Sequence, residues 1–250
     1  MEYDVIVLGA TFTAAGIATE LGEKCLVIER RPQTGYEFFN SLKFGDSYDK
    51  EVKNEPTKLL IDEFKRKNAF TEKSINLFNC ASAFYSLLSG KNVLLNTEII
   101  SIEKCDDNFT VKTHGVSGHR SFNAKRIIDT RVLPHQIHQK SLNFLVDSHL
   151  TVDSDNVSTV YNFGHEGDTV VKCYVPNDCS YITARKTVAD IVESLPEGNK
   201  VMFVADMFDI TVEGDYPLND NGIILLPSQY FANPFLSFDA GVSFAKELTL

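Results

Sequence analysis

Short apolar runs and a small-residue stretch follow one another at the start of the chain in the order strand, helix, strand. Residues 3–8 are apolar apart from Asp4, residues 25–28 are uniformly apolar, and residues 13–21 between them are rich in alanine. Apolar runs of this length are typical of strands buried on both faces of a parallel sheet. The pattern predicts a βαβ unit with a right-handed crossover.

The next part of the chain changes from helical periodicity to strict alternation. Apolar positions recur at helical spacing over residues 56–67 and 74–88, after an irregular stretch at 30–54. Strands are predicted after these helices at residues 92–95, 97–105, 109–113 and 125–129. Because the middle two alternate around a turn at Asp106, they predict a β-meander that leads into a return strand.

The character of the chain changes again at Pro134. Strands and loops are predicted from about residue 135 to 180, followed by an amphipathic helix over 182–195. Further strands are predicted at 200–205 and 223–226. Ser237 or Asp239 is predicted to cap a last helix that runs through Leu248. The mixed order predicts a smaller α+β unit that follows the parallel one.

Composition and charge narrow the possible classes of function. The chain has 250 residues, of which 43% are hydrophobic and 23% charged, as in ordinary globular proteins. A net charge of −10 argues against duplex nucleic acid as a partner. No run is as long as the roughly 18 apolar residues of a membrane span, and five scattered cysteines suit a reducing compartment. We therefore expect a cytoplasmic protein without a membrane segment.

The loop after the first predicted strand is a variant of the glycine-rich dinucleotide fingerprint. The pattern G-x-G-x-x-G places a tight turn first, a close approach to a pyrophosphate second, and helix–strand packing third. Gly9 keeps the first position, Thr11 stands at the second, and Ala14 stands at the third. The start of the following helix offers free N–H groups to a phosphate. The candidate phosphate-binding residues are Gly9, Ala10, Thr11, Phe12, Thr13 and Ala14.

An acidic residue stands where this fingerprint needs one. Glu29 follows the second predicted strand, 20 residues after Gly9. At that place a carboxylate accepts hydrogen bonds from the ribose of the bound nucleotide. Its charge argues against a 2′-phosphate, while Arg30 and Arg31 leave NADP open.

Three stretches of the chain resemble the FAD-dependent oxidoreductases of the glutathione-reductase-like, two-domain flavoprotein superfamily. They are residues 4–30, 93–131 and 233–248. The resemblance implies an α/β fold: a Rossmann-like FAD/NAD(P)-binding domain with a parallel sheet and β-meander, plus a smaller inserted α+β substrate domain. It places the discontinuous FAD-binding domain at 1–131 and 219–250, and the substrate or cap domain at 132–218.

The resemblance also implies roles for single residues. The loop at 9–14 would hold the FAD pyrophosphate, Glu29 and the neighbouring Arg30 would lie at the adenosine ribose, and the Ile99 backbone would meet the adenine. Gly241 would lie near the ribityl chain and the flavin ring. Arg131 replaces a glycine of the family. Its side chain either fills the vacated space or supplies a cation to the diphosphate.

These observations leave two classes of function open. The first is an FAD-dependent oxidoreductase that accepts a hydride from a small organic substrate and passes electrons to oxygen or a protein partner. The alternative is a cofactor-free flavoprotein-like fold that acts as a binding or partner subunit, suggested by Thr11, Arg131 and a missing Gly-Asp pair before the last helix. The meander argues against a plain NAD-binding dehydrogenase. His165 is a candidate for proton transfer or an ordinary turn residue, and no metal site or catalytic residue is predicted.

Overall fold

A computed structural model describes residues 2–71, 74–150, 156–161 and 168–248 of the chain. The candidate His165 lies outside these residues. The described strands are β1 (Glu2–Leu8), β2 (Cys25–Ile28), β3 (Phe70–Thr71), β4 (Ser74–Ile75), β5 (Val93–Leu94), β6 (Glu98–Cys105), β7 (Asn108–Gly115), β8 (Gly118–Asp129), β9 (Ile137–Val146), β10 (Val157–Tyr161), β11 (Thr169–Val175), β12 (Val201–Val204), β13 (Asp209–Val212), β14 (Leu218–Asp220) and β15 (Ile223–Leu225). The α-helices are α1 (Phe12–Leu21), α2 (Tyr36–Phe39), α3 (Glu55–Arg66), α4 (Leu77–Leu88), α5 (Tyr181–Glu193) and α6 (Pro234–Glu247).

The larger sheet has the topology that the N-terminal pattern predicts. Its strands run in the order β14-β15-β8-β1-β2-β5, and the meander β6–β7 joins it through β8. Strand β1 pairs in parallel with β2 and with β8, so that Leu8 stands beside both Ile28 and Asp129. The carboxyl ends of these three strands therefore meet at one edge, where ligands bind in open α/β sheets. The predicted α/β fold with a βαβ unit and a β-meander is confirmed.

The smaller sheet is antiparallel and forms a second layer. Its order is β10-β11-β9-β12, with β13 also paired to β9. Helix α5 packs on β9 and β11. All of these strands come from the segment between Ile137 and Val212. We propose that they form the inserted domain at 132–218, and that 1–131 and 219–250 form the other domain.

Helices α1 and α4 share one core cluster with the strands of the smaller sheet. Phe12 of α1 and Phe84 of α4 belong to the same buried cluster as Phe144 of β9 and Val170 of β11. The helices α1 and α6 make the most extensive helix pairing of the described chain. The helices near the fingerprint loop and the smaller sheet thus share a core, whereas the buried side chains of β1, β2 and β8 form two further clusters.

Three predicted starts are wrong, and each error has a local cause. Strand β8 begins at Gly118 instead of residue 125, because residues 118–124 pair with β7. Helix α6 begins at Pro234 with Asn233 as its N-cap, because the Asn233 side chain accepts from the Leu236 N–H and proline suits a first helical turn. Neither Ser237 nor Asp239 is the cap. Helix α4 begins at Leu77 instead of residue 74, because the preceding residues pair as a short strand with β3.

The described residues contain neither a candidate membrane span nor a cluster of metal-ligating side chains. No helix among them has the length and apolar character needed to cross a membrane. Within the same part of the chain, no group of three or more His, Cys, Asp or Glu side chains is placed to hold a metal ion.

Candidate functional site

The fingerprint loop makes the tight turn that its first glycine predicts. Gly9 has a φ of +92°, and an added Cβ would lie 2.7 Å from Cγ of Arg131. Thr11 is the N-cap of α1, where its hydroxyl accepts from the Ala14 N–H at 3.1 Å. The loop thus turns the chain from β1 into α1 and aims the first helical N–H groups at one point. Anions are stabilised at such a point.

A carboxylate of the chain itself occupies that point. The Phe12 N–H, at the first position of α1, donates to Oε1 of Glu37 at 2.7 Å. The Ser228 hydroxyl donates to the same oxygen at 2.7 Å. The other oxygen, Oε2, is buried without a hydrogen-bond partner among the described residues. Burial raises the pKa of Glu37 to about 7, although the Phe12 and Ser228 hydrogen bonds oppose this shift.

Buried hydroxyls surround this contact. Thr13 and Ser237 lie 2.9 Å apart through their hydroxyl oxygens, and Ser237 and Ser228 lie 2.6 Å apart. Because each hydroxyl carries one proton and Ser228 gives its own to Glu37, the chain of donors runs from Thr13 through Ser237 and Ser228 to Glu37. The carboxylate is therefore the end point of a polar network inside the core.

Aromatic side chains close the loop off from solvent. The Phe12 ring stacks on the Phe84 ring with centroids 3.9 Å apart and meets the Phe38 ring edge-on. Tyr36 OH lies within 3.4 Å of the place that a Gly9 Cβ would take. The side chains of Ala10, Thr11, Phe12, Thr13 and Ala14 are all fully buried.

The predicted ribose ligand is engaged by the backbone. One oxygen of Glu29 accepts from the Ala10 N–H at 3.0 Å, and the other accepts from the Arg31 N–H at 2.8 Å. The side chain is almost completely buried. Glu29 consequently ties the fingerprint loop to the segment that follows β2.

The geometry of Arg131 favours a space-filling role over that of a cation for a diphosphate. Its Nε and Nη2 donate to the two oxygens of Asp129 at 2.9 Å and 2.7 Å. Its Cγ covers Gly9. The side chain thus fills the space over the loop, and Asp129 balances its charge.

The remaining predicted residues are not brought together. Ile99 lies on β6 opposite Thr113, in the meander. Gly241 lies where α6 crosses α1, and an added Cβ there would lie 2.2 Å from the Thr13 carbonyl oxygen. Only Arg30, Glu29 and Arg131 share an open surface.

That surface is a cleft of about 610 Å³ at the carboxyl ends of β2 and β8. It lies beside the closed loop, between the larger sheet and the second layer. Three arginines, several aromatic side chains and polar groups line it, which is a common composition for a small-molecule site. The lining includes Arg30, Arg31, Tyr36, Arg131, Tyr181, Asp206, Phe208 and Gln229.

A buried ion-pair network joins the two walls of the cleft. Asp209 of β13 accepts from Lys172 at 2.7 Å and from the Asn143 amide at 3.2 Å, and Lys43 Nζ lies 3.8 Å from its other oxygen. Lys43 also donates to the backbone oxygen of Gln229. Burial favours the neutral acid, yet the two lysines hold the pKa of Asp209 below its usual value. The second layer is thereby fixed against the loop that follows α2.

Sequence reasoning missed Glu37 and the cleft residues Tyr36, Tyr181 and Gln229. Glu37 sits between aromatic residues in a stretch that appears irregular, and its only sequence signal is a lone charge among apolar neighbours. Tyr181 and Gln229 come from distant parts of the chain, and only the packing of the two layers brings them to one place.

No known protein family matches the sequence, and no curated protein matches it either. Solved structures do match. The chain is similar to OxyS anhydrotetracycline hydroxylase from Streptomyces rimosus, with a TM-score of 0.62 and 14% identity over 90% of this chain and 56% of that one. It is similar to p-nitrophenol 4-monooxygenase PnpA from Pseudomonas putida DLL-E4, with a TM-score of 0.60 and 16% identity over 98% and 78%. It is also similar to glycine oxidase from Geobacillus kaustophilus, with a TM-score of 0.60 and 12% identity over 98% and 94%.

The chain has the fold of these hydroxylases and oxidases, which is also the fold of a flavoprotein/dehydrogenase from Cytophaga hutchinsonii. It spans a little over half the length of the anhydrotetracycline hydroxylase. At these identities the likeness concerns the fold. The narrower resemblance to the glutathione-reductase-like superfamily stays a prediction.

The described residues do not fit an FAD diphosphate at the start of α1. In this fold a diphosphate would take the Phe12 N–H and lie against the fingerprint loop. Here Glu37 already takes that N–H, and the loop is buried behind Tyr36, Phe84 and Arg131. A phosphate at this place would also lie against the Glu37 carboxylate, and the two negative charges would repel each other.

Proposed function

We propose that this protein is a cofactor-free flavoprotein fold that acts as a binding subunit. The observation that supports this proposal most directly is the Glu37 carboxylate on the Phe12 N–H. A dinucleotide cofactor of this fold depends on that donor, and here the chain satisfies it internally. The burial of the whole fingerprint loop supports the same conclusion.

The bound molecule in this proposal is a small organic anion held in the cleft. Arg31 lies over the Tyr36 ring at 5.1 Å, and Arg30 is exposed beside it. Guanidinium groups bind carboxylates and phosphates in a planar, two-pronged manner, and the Tyr36 and Phe208 rings offer apolar surface to the rest of a ligand. The aromatic substrates in the names of similar hydroxylases suit such a cleft in size and character.

The second candidate function is an FAD-dependent oxidoreductase that accepts a hydride from a small organic substrate. The fold and the position of the cleft beside Glu29 favour it. For this function, the segment that carries Glu37 would have to move away from the start of α1 when the cofactor binds.

A visible absorption spectrum of the purified protein separates the two candidates. We expect a colourless protein whose melting temperature does not change with added FAD, because a ligand that binds only the folded state raises that temperature. A yellow protein that releases one FAD per chain on heating would instead establish the oxidoreductase. Small aromatic carboxylates and nucleoside monophosphates can be screened in the same thermal assay.

A further inference from the structure

The anion at the start of α1 comes from a residue outside the helix. Its first turn contains no acidic residue, and the carboxylate that accepts from Phe12 comes from Glu37, 25 positions along the chain. The usual way to satisfy a helix start is a side chain of the cap or of the first turn. Thr11 already fills the cap position here. Glu37 is thus an additional anion, in the place that a ligand takes in related folds.

The segment before Glu37 is built to deliver it. Gly35 has a φ of +68°, and its N–H donates to the Ala10 carbonyl at 2.8 Å. A Cβ at Gly35 would lie 2.8 Å from the Phe39 ring and 2.9 Å from the Phe84 ring. The short helix α2 therefore starts directly against the fingerprint loop, and its second residue, Glu37, reaches the start of α1.

Two donors from distant parts of the chain meet at one oxygen of the Glu37 carboxylate. A backbone N–H and a hydroxyl converge on Oε1, and two more hydroxyls stand behind Ser228, while Oε2 has no partner in the described part of the chain. A buried carboxylate with an unpaired oxygen is destabilising in itself. An N–H group at a helix start together with a hydroxyl donor is a pair that also binds phosphate oxygens.

We propose that Glu37 is a built-in replacement for a phosphate group, and that its removal turns the start of α1 into a site for a small oxyanion such as inorganic phosphate. This inference rests on the proposed function, because it explains how the fold stays closed without a cofactor. It concerns a single oxyanion, since Tyr36, Phe84 and Arg131 still exclude a dinucleotide.

The test compares Glu37→Ala with the wild type and with Glu20→Ala, which removes an exposed carboxylate at the far end of the same helix. Each protein is unfolded and refolded in phosphate or acetate, and in chloride of the same ionic strength, before its melting temperature is measured. We expect Glu37→Ala to melt lower than the wild type in chloride and to recover by several degrees in phosphate or acetate. The wild type and Glu20→Ala should show only the smaller, general stabilisation that phosphate gives to folded proteins.

Equal melting temperatures of Glu37→Ala in all three salts would overturn the proposal, as would an equal phosphate response of the wild type. If Glu37→Ala does not fold, Glu37→Gln keeps the shape and removes the charge. In Glu37→Gln, the amide proton of Phe12 should shift upfield relative to the wild type in an NMR spectrum. An unchanged resonance would contradict the role of Glu37 as the anion at the start of α1. FAD binding by the wild type is measured separately, so a failure of the proposed function is distinguishable from a failure of the Glu37 assignment.

Discussion

The start of α1 and the neighbouring cleft lie at the same edge of the same sheet. The first buries a negative group, and the second exposes positive groups. At the start of α1, a carboxylate of the chain meets a backbone N–H and a hydroxyl donor in a closed, buried region. In the cleft, the guanidinium groups of Arg30 and Arg31 face open space. The crevice at this sheet edge therefore holds a side chain of the protein itself in one part and stays open in another.

The largest expected effect concerns the network that joins the walls of the cleft. Asp209→Asn leaves Lys43 and Lys172 close together without their anion, in a buried position. Removing one partner of a buried ion pair costs about 3–5 kcal/mol. Urea unfolding should show a loss of this size, together with loss of any cleft ligand. The exposed Asp220→Ala is the control, and equal stabilities of the two variants would exclude a tie between the layers at Asp209.

The next effect concerns the support behind the closed region. Gly241→Ala places a Cβ 2.2 Å from the Thr13 carbonyl, so α6 has to move away from α1. Overpacking of this kind costs about 1–3 kcal/mol. Chemical denaturation measures it, with Glu247→Ala near the exposed end of α6 as the control. A neutral Gly241→Ala variant would show that the two helices are not held at this distance in solution.

The pH dependence of stability sharpens the comparison at Glu37. Because its folded pKa of about 7 lies above the ordinary value of 4.5, the folded state holds the proton more tightly than the unfolded state. Stability should therefore fall as the pH rises from about 4.5 to about 7, by at most about 1.4 kcal/mol per pH unit. Glu37→Gln should remove this slope. A variant with the same slope as the wild type would place the titrating group elsewhere.

The smallest expected effect on stability lies in the cleft. Arg31→Ala removes a guanidinium that lies over Tyr36, an interaction worth about 0.5–1 kcal/mol at an exposed site. Binding of an anionic ligand found by thermal screening should weaken much more than stability does. Isothermal titration of Arg31→Ala measures this, with the exposed Arg66→Ala on α3 as the control. Equal affinities in both variants would remove Arg31 from the site.

The parts of the fold that follow from local pattern could be predicted from the sequence. Strand β2 lies where its uniform apolar run predicts, and the meander strands lie around the turn at Asp106. These elements depend on side-chain periodicity, which neighbouring residues carry. The cap of α6 was missed because Ser237 and Asp239 are equally good caps by residue type, and only their distant hydrogen bonds show that they are used elsewhere.

The candidate site could be predicted only in part, for a related reason. The positions of Gly9, Thr11 and Glu29 follow from the spacing of the fingerprint, and the structure places all three at the predicted edge of the sheet. The carboxylate of Glu37 reaches α1 only because Gly35 and the surrounding aromatic rings fold that segment back over the loop. Sequence spacing does not encode such a long-range contact.

The shared apolar cluster has a consequence for how the molecule unfolds. Because Phe12 and Phe84 share one cluster with Phe144 and Val170, the smaller sheet cannot lose its packing while helices α1 and α4 keep theirs. Units that share a core in this way unfold cooperatively. We therefore expect a single unfolding transition on heating. A molecule bound in the cleft should then protect the far side of the closed loop against unfolding as strongly as it protects the walls that it touches.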